Sequence, residues 1–190
     1  MKLLALLGGL LLAGGLDADA GDIQAGRAAA GMCRTCHGLD GMARIPLAPH
    51  IGGEPQAYLE DQLLAFKTGS RHHEMMSIVV STLSMSQIAD VAAWYASHTA
   101  TAALPKNVDP DAAPDACVSC HGISGIATTP DVPHLAGEAN IYLDTQLKAF
   151  RSGKRKHEIM TPIAAGLSNE QIREYANWYA NSLLDIVANE

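Results

Sequence analysis

Cys33-Arg34-Thr35-Cys36-His37-Gly38 and, 84 residues further on, Cys117-Val118-Ser119-Cys120-His121-Gly122 contain all four cysteines of this 190-residue chain. Two thiols two residues apart, followed at once by an imidazole, form the attachment signature of a c-type haem. The thiols add across two vinyl groups, and the adjacent histidine faces the iron. Two other chemistries share the pattern. A redox dithiol needs a strand–helix–strand setting, and nothing here alternates strand with helix. A zinc site needs a fourth ligand and rarely accompanies an export signal. The residues therefore predict two covalently bound haem c groups, one on Cys33 and Cys36 and one on Cys117 and Cys120.

The 84-residue offset organises most of the chain. It aligns 33–96 with 117–180 without a gap, and 30 of those 64 positions are identical, which marks a tandem duplication. The shared residues include Pro49/Pro133, His50/His134, Gly53/Gly137, Glu54/Glu138, Tyr58/Tyr142, Gln62/Gln146 and Trp94-Tyr95/Trp178-Tyr179. Two domains are expected, 21–100 and 101–190. They are joined by a linker at about 99–114 that is rich in Ala, Pro and Asp and lacks a hydrophobic period. Domains this small bury limited surface alone. A buried haem would supply the missing apolar volume, so the apo-protein should fold poorly.

Residues 1–20 read as a cleaved secretory signal. One lysine precedes an apolar run from Leu3 to Leu16, and Ala18-Asp19-Ala20 supplies the small-x-small cleavage site. That run is short for a membrane span, with an uncleaved anchor as the alternative. Export places the mature chain in the periplasm.

Within each repeat the pattern is helical. Tyr58, Leu59, Gln62, Leu63 and Phe66 lie on one face of a helix ending near Gly69, and Tyr142 to Phe150 repeat it. Ser84-x-x-Gln87 and Ser168-x-x-Gln171 are capping boxes that open a last helix in each repeat. A first helix is expected from Asp22 to about Met32, whereas Pro110 and Pro114 leave only a short turn before Cys117. The class is all-α.

His37 and His121 each take one axial position on iron. The duplication narrows the other. After the signal the second repeat has a single methionine, Met160, 39 residues beyond His121; Met76 stands 39 residues beyond His37. Met32, Met42, Met75 and Met85 have no methionine partner at the repeat offset. Equivalent sites should use equivalent ligands, which favours Met76 and Met160. The competitors are His73/His157 and His50/His134, which also repeat. A thioether raises the reduction potential, and two protein ligands leave iron no open position, so the pattern points to electron transfer and away from an enzyme.

Beyond residue 20 the chain has 12 basic and 18 acidic residues, which excludes nucleic acid as a natural partner. Lys148, Arg151, Lys154, Arg155 and Lys156 oppose that trend just before Met160. They are read either as a solvated face or as a docking patch for an acidic redox partner. Arg71 and Arg155 are candidate contacts to haem propionates. Trp94/Trp178 and Tyr95/Tyr179 read as core packing between the terminal helices.

With "P-H-[IL]-x-G-E", "Y-L-x-x-Q-L-x-x-F-[KR]-x-G-x-R" and a methionine just beyond in each repeat, the chain resembles the diheme cytochrome c4 family, paired class I c-type cytochromes. The resemblance implies two small helical haem domains packed face to face, with Pro49 and Pro133 against the proximal histidines. It also implies a periplasmic shuttle, often loosely membrane-associated, that feeds terminal oxidases. Expected partners are redox proteins: an oxidase, a cytochrome complex or a dehydrogenase. The competing reading is an electron-accepting subunit of a periplasmic dehydrogenase that oxidises, for instance, sulfide, thiosulfate or an alcohol. A Pro110 where the first repeat has Gly26 departs from the class I pattern.

Overall fold

The structure, a computed structural model, describes residues 21–189; the expected export signal, 1–20, lies outside them. Helix α1 (Ile23–Ala29) starts where the Asp22 carboxylate accepts from the Gln24 and Ala25 amides at 2.8 and 2.9 Å. A 3₁₀ turn, Ala30–Met32, carries the chain into α2 (Arg34–His37) and the first attachment motif. Helices α3 (Gln56–Thr68), α4 (Glu74–Ser81) and α5 (Met85–Ala96) complete the first half. The helix read from Tyr58 onward does end at Gly69, whose φ of 80° is left-handed. Both partners of the Ser84/Gln87 capping box are in place.

The core of this half gathers where α1 and α3 meet α5. Ala30, Leu59, Val91, Ala92 and Tyr95 are buried together, and Phe66, Val80, Leu83 and Ile88 form a second cluster under α4. Gly26 lies buried at the α1–α5 crossing, where a Cβ would collide with the Asp90 carbonyl and the Trp94 side chain. Only glycine lets these helices approach so closely.

The second half repeats the plan with α6 (Asp115–His121), α7 (Asn140–Arg151), α8 (Met160–Ala165) and α9 (Asn169–Ala180). Its capping box, Ser168/Gln171, also forms. In place of α1 it has only a 3₁₀ turn, Pro110–Ala112, as Pro110 at the Gly26 position implies. Among the described residues no single helix is long and apolar enough to cross a membrane.

One element departs from a purely helical description. Strand β1 (His98–Ala103), which leaves the first half, pairs antiparallel with β2 (Leu183–Ala188), which ends the second, from His98 opposite Ala188 to Ala103 opposite Leu183. Part of the stretch read as an unpatterned linker is therefore a strand. Its partner lies some eighty residues away, so no local hairpin signal announces it. Beyond the ladder, Asn189 Nδ2 donates to the Ser97 carbonyl at 2.6 Å and Thr99 Oγ1 donates to Asn189 Oδ1 at 2.8 Å. The strands also cover the loops that join the halves: Ala100 packs on Gly53, Ile186 on Gly52 and Leu184 on Gly137. Helices form the body, and this two-stranded ribbon straps it together.

Candidate functional site

Each attachment motif is a short helix ending in its histidine. His37 and His121 are the last residues of α2 and α6, and both are buried. Gly38 and Gly122 follow with φ of 74° and 72°, and a Cβ there would strike the Met42 or Ile126 carbonyl. The chain thus turns back beneath the imidazole. His37 Nδ1 donates to the Pro49 carbonyl at 2.9 Å, and His121 Nδ1 donates to the Pro133 carbonyl at 2.9 Å. With Nδ1 committed, Nε2 is the nitrogen left for iron, and its tautomer is the one a metal requires. Burial lowers the pKa of both rings, which keeps them neutral.

The sulfurs fit the same chemistry. Burial pushes the Cys33 and Cys117 thiols up to about 11, the reverse of what a redox dithiol or a zinc thiolate needs. A neutral thioether suits such surroundings. The loop behind each motif is pinned from the terminal helix. Tyr95 OH donates to the Gly38 carbonyl at 3.0 Å and Trp94 Nε1 to the Leu39 carbonyl at 2.9 Å. Tyr179 and Trp178 do the same to Gly122 and Ile123 at 3.2 and 2.9 Å. These aromatics are packing residues, as read from the sequence, that also clamp the motif.

Met76 and Met160 occupy matching places at the start of α4 and α8. Their amides donate to His73 Nδ1 at 3.4 Å and His157 Nδ1 at 3.3 Å. His73 is thus the N-cap of α4, and His157, just before α8, accepts the amide of the residue that opens it. Met76 is half-buried against the Phe66–Ile88 cluster. The unpaired Met32, Met75 and Met85 are about half exposed or more.

His50 and His134 have both ring nitrogens occupied. Nδ1 of each accepts from an amide, Ala43 or Ala127, at 3.0 Å. Nε2 then donates across to the other half: His50 to the Gly137 carbonyl at 3.1 Å and His134 to the Gly53 carbonyl at 3.0 Å. They are rivets between the halves.

Next to those carbonyls stand two residues given no role in the sequence reading, Glu54 and Glu138, 5 % and 3 % exposed. Glu54 Oε2 accepts the His134 amide at 2.9 Å. The Glu138 carboxyl lies against the backbones of His50 and Ala139, and its Oε2 has no partner among the described residues. Burial pushes the Glu54 carboxyl up to about 8, and burial together with the nearby Glu54 charge raises Glu138 well above the usual carboxylate range. Their one signal in the sequence is identity at equivalent positions of both repeats.

Arg71 and Arg155 lie at the same junction. Arg71 donates to Gln62 of its own half at 2.6 Å, and to Gln146 and Tyr142 of the other at 2.8 and 3.3 Å. Arg155 mirrors this on Gln146 at 2.9 Å, Gln62 at 2.8 Å and Tyr58 at 3.2 Å. Each guanidinium stacks 4.5 Å over a phenylalanine, Phe66 or Phe150. A cleft of about 400 Å³ opens beside them, rimmed by Lys154 and Lys156.

Comparison with known proteins agrees with this duplicated arrangement. A family model for cytochrome c matches residues 112–181. Cytochrome c4 of Pseudomonas aeruginosa is 34% identical over 184 residues, covering 86% of this chain and 90% of that one. The chain belongs to the cytochrome c4 family. A thiosulfate dehydrogenase electron acceptor from Thiomonas intermedia is 30% identical, over 80% of this chain and 78% of its own. The crystal structure of reduced recombinant cytochrome c4 from Pseudomonas stutzeri superposes with a TM-score of 0.74 at 28% identity, covering 85% of this chain and 99% of that one. As a member of the cytochrome c4 family the chain carries two covalently bound haem c groups and acts as an electron carrier between redox proteins.

Proposed function

We propose that this cytochrome c4 homologue is a periplasmic shuttle that takes single electrons from one redox protein and passes them to another, towards a terminal oxidase. Cys33, Cys36, Cys117 and Cys120 hold the porphyrins as thioethers, His37 and Met76 ligate one iron, and His121 and Met160 ligate the other. The domains are 21–100 and 101–190. When bound, the haem iron supplies the one-electron couple; the protein sets its potential and access. The observation that carries the reading is the matched pair of imidazoles, each fixed at 2.9 Å on a proline carbonyl with Nε2 left for metal. His50/His134 are committed at both nitrogens, and His73/His157 accept the amides of Met76 and Met160, which favours sulfur as the sixth ligand.

Arg71 and Arg155 remain candidate propionate contacts, since they lie at the cleft between the halves. Loose membrane association belongs to the same reading. The second reading, an electron-accepting subunit of a dehydrogenase, is favoured by the relative that is a thiosulfate dehydrogenase electron acceptor. Size-exclusion of the native protein separates the two, because a stable heterocomplex supports the second.

The ligand set is tested by redox titration with optical spectra. The native protein should show two low-spin haems and the weak red absorption of sulfur-ligated ferric iron, and when reduced it should not bind carbon monoxide at neutral pH. Met76→Ala or Met160→Ala should remove that absorption from one haem, lower its midpoint potential and open it to carbon monoxide. Unchanged spectra and potentials in both variants would overturn the assignment.

A further inference from the structure

The Pro133–His134 peptide group is engaged at both ends. Its carbonyl oxygen accepts the His121 Nδ1 proton at 2.9 Å, and its N–H donates to Glu54 Oε2 at 2.9 Å. His121 belongs to the second half and Glu54 to the first. The mirror path runs the other way. On that side the Pro49 carbonyl accepts from His37 at 2.9 Å, and the Glu138 carboxyl of the second half lies against the His50 backbone. Each imidazole expected to hold iron is thus one peptide unit from a carboxyl of the opposite half.

We propose that Glu54 and Glu138 are crossed positioning residues: each sets, through one peptide group, the electron density on the proximal histidine of the other half and so the potential of that half's haem. A peptide is a conjugated unit. A carboxylate accepting its N–H pushes density onto its carbonyl oxygen, because linked hydrogen bonds polarise one another, most of all at low dielectric. A more negative carbonyl draws the Nδ1 proton harder and makes the imidazole a stronger donor to iron. A stronger donor favours the ferric state. Replacing the carboxylate with a neutral amide should therefore raise the potential of the haem in the opposite half. The two carboxyls share one buried site, with Tyr58 beside Glu54 and the His50 and His134 backbones against the carboxyls. Burial makes the effect large, since water cannot screen it.

This rests on His37 and His121 being iron ligands, and the test separates the two claims. Glu54→Gln and Glu138→Gln keep the shape of the acceptor and remove the charge it carries when ionised, so potentials are compared above about pH 8, where Glu54 has lost its proton. Potentials are measured by titration and assigned to each haem from its methyl resonances. Glu54→Gln should move the haem on Cys117/Cys120 upward by more than the haem on Cys33/Cys36, and Glu138→Gln should do the opposite. A larger shift in the haem of the mutated half, equal shifts in both haems, or no shift would each overturn the crossed relay. Sulfur-ligated spectra should persist in both variants; their absence from the unmodified protein would instead remove the ligand assignment on which the relay stands. A second measurement needs no substitution. In the unmodified holoprotein the His134 amide proton should exchange far more slowly than the surrounding loop amides, and rapid exchange would overturn the crossed bond itself.

Discussion

Arg155 Nη2 donates to Gln62 Oε1 at 2.8 Å across the junction between the halves, the mirror of Arg71 on Gln146 at the same distance. Each glutamine oxygen thereby receives one guanidinium from its own half and one from the other. The bonds that build each half and those that join the halves are therefore one network.

Removing one member should cost more than a surface contact. Arg155→Ala deprives Gln62, Gln146 and Tyr58 of a donor in a half-buried setting, with an expected loss of about 1–3 kcal/mol in denaturant unfolding. A double-mutant cycle of Arg155→Ala with Gln62→Ala should give a coupling energy of roughly 0.5–3 kcal/mol. Additive losses would mean that the bridge is not energetically joined.

Stability should fall as the solution is made alkaline. Glu54 has a folded-state pKa of about 8 against an ordinary value of 4.5, so it binds a proton in the folded chain that the unfolded chain releases. Its contribution is fully present below about pH 4.5 and is lost as pH rises through about 8. Glu138 shifts in the same direction. Thermal melts of the holoprotein from pH 5 to 9 should show a declining melting temperature, and Glu54→Gln should flatten that decline. A melting temperature that rises across this window would contradict the buried protonated pair.

The β1–β2 ribbon should govern how firmly the halves hold together. Deleting 183–190 removes β2 and its cover over Gly52 and Gly137. The expected result is faster proteolysis between residues 104 and 114, with both haem spectra retained. Unaltered proteolysis would show that the loops and arginines suffice.

Of the five cations near Met160, three are engaged within the fold. Lys148 pairs with Asp144 at 2.6 Å, Arg151 holds the Leu167 carbonyl and Asn169, and Arg155 bridges the halves. Lys154 and Lys156 are exposed. Charge reversal of both should lower the association rate with an acidic redox partner about tenfold or more at low salt, and the difference should fade as ionic strength rises. Stopped-flow rates indifferent to salt and to both lysines would exclude a docking role.

What can be read from residue order here is whatever is local or periodic. The attachment motifs, the capping serines and the 84-residue offset are of that kind, and they carry the helical class and the pairing of Met76 with Met160. Gly26 against Pro110 even foretells the missing helix of the second half. The rest depends on stacking. Thr99 to Ala103 have weak strand character until β2 arrives from the far end of the chain. His50 and His134 look like candidate ligands until both nitrogens are seen to be occupied by partners that include the opposite half. Glu54 and Glu138, identical in both repeats, look like ordinary surface carboxylates, because only the crossing of two loops buries them.

The ribbon between the first half's exit and the chain's end has a kinetic consequence. Tunnelling rates drop exponentially with separation, so two centres on a slack tether would hop with a broad spread of rate constants. Buckled at both ends, the halves present a single fixed gap. Exchange between the centres should then follow one rate constant, and a molecule loaded at either end behaves as one two-electron reservoir.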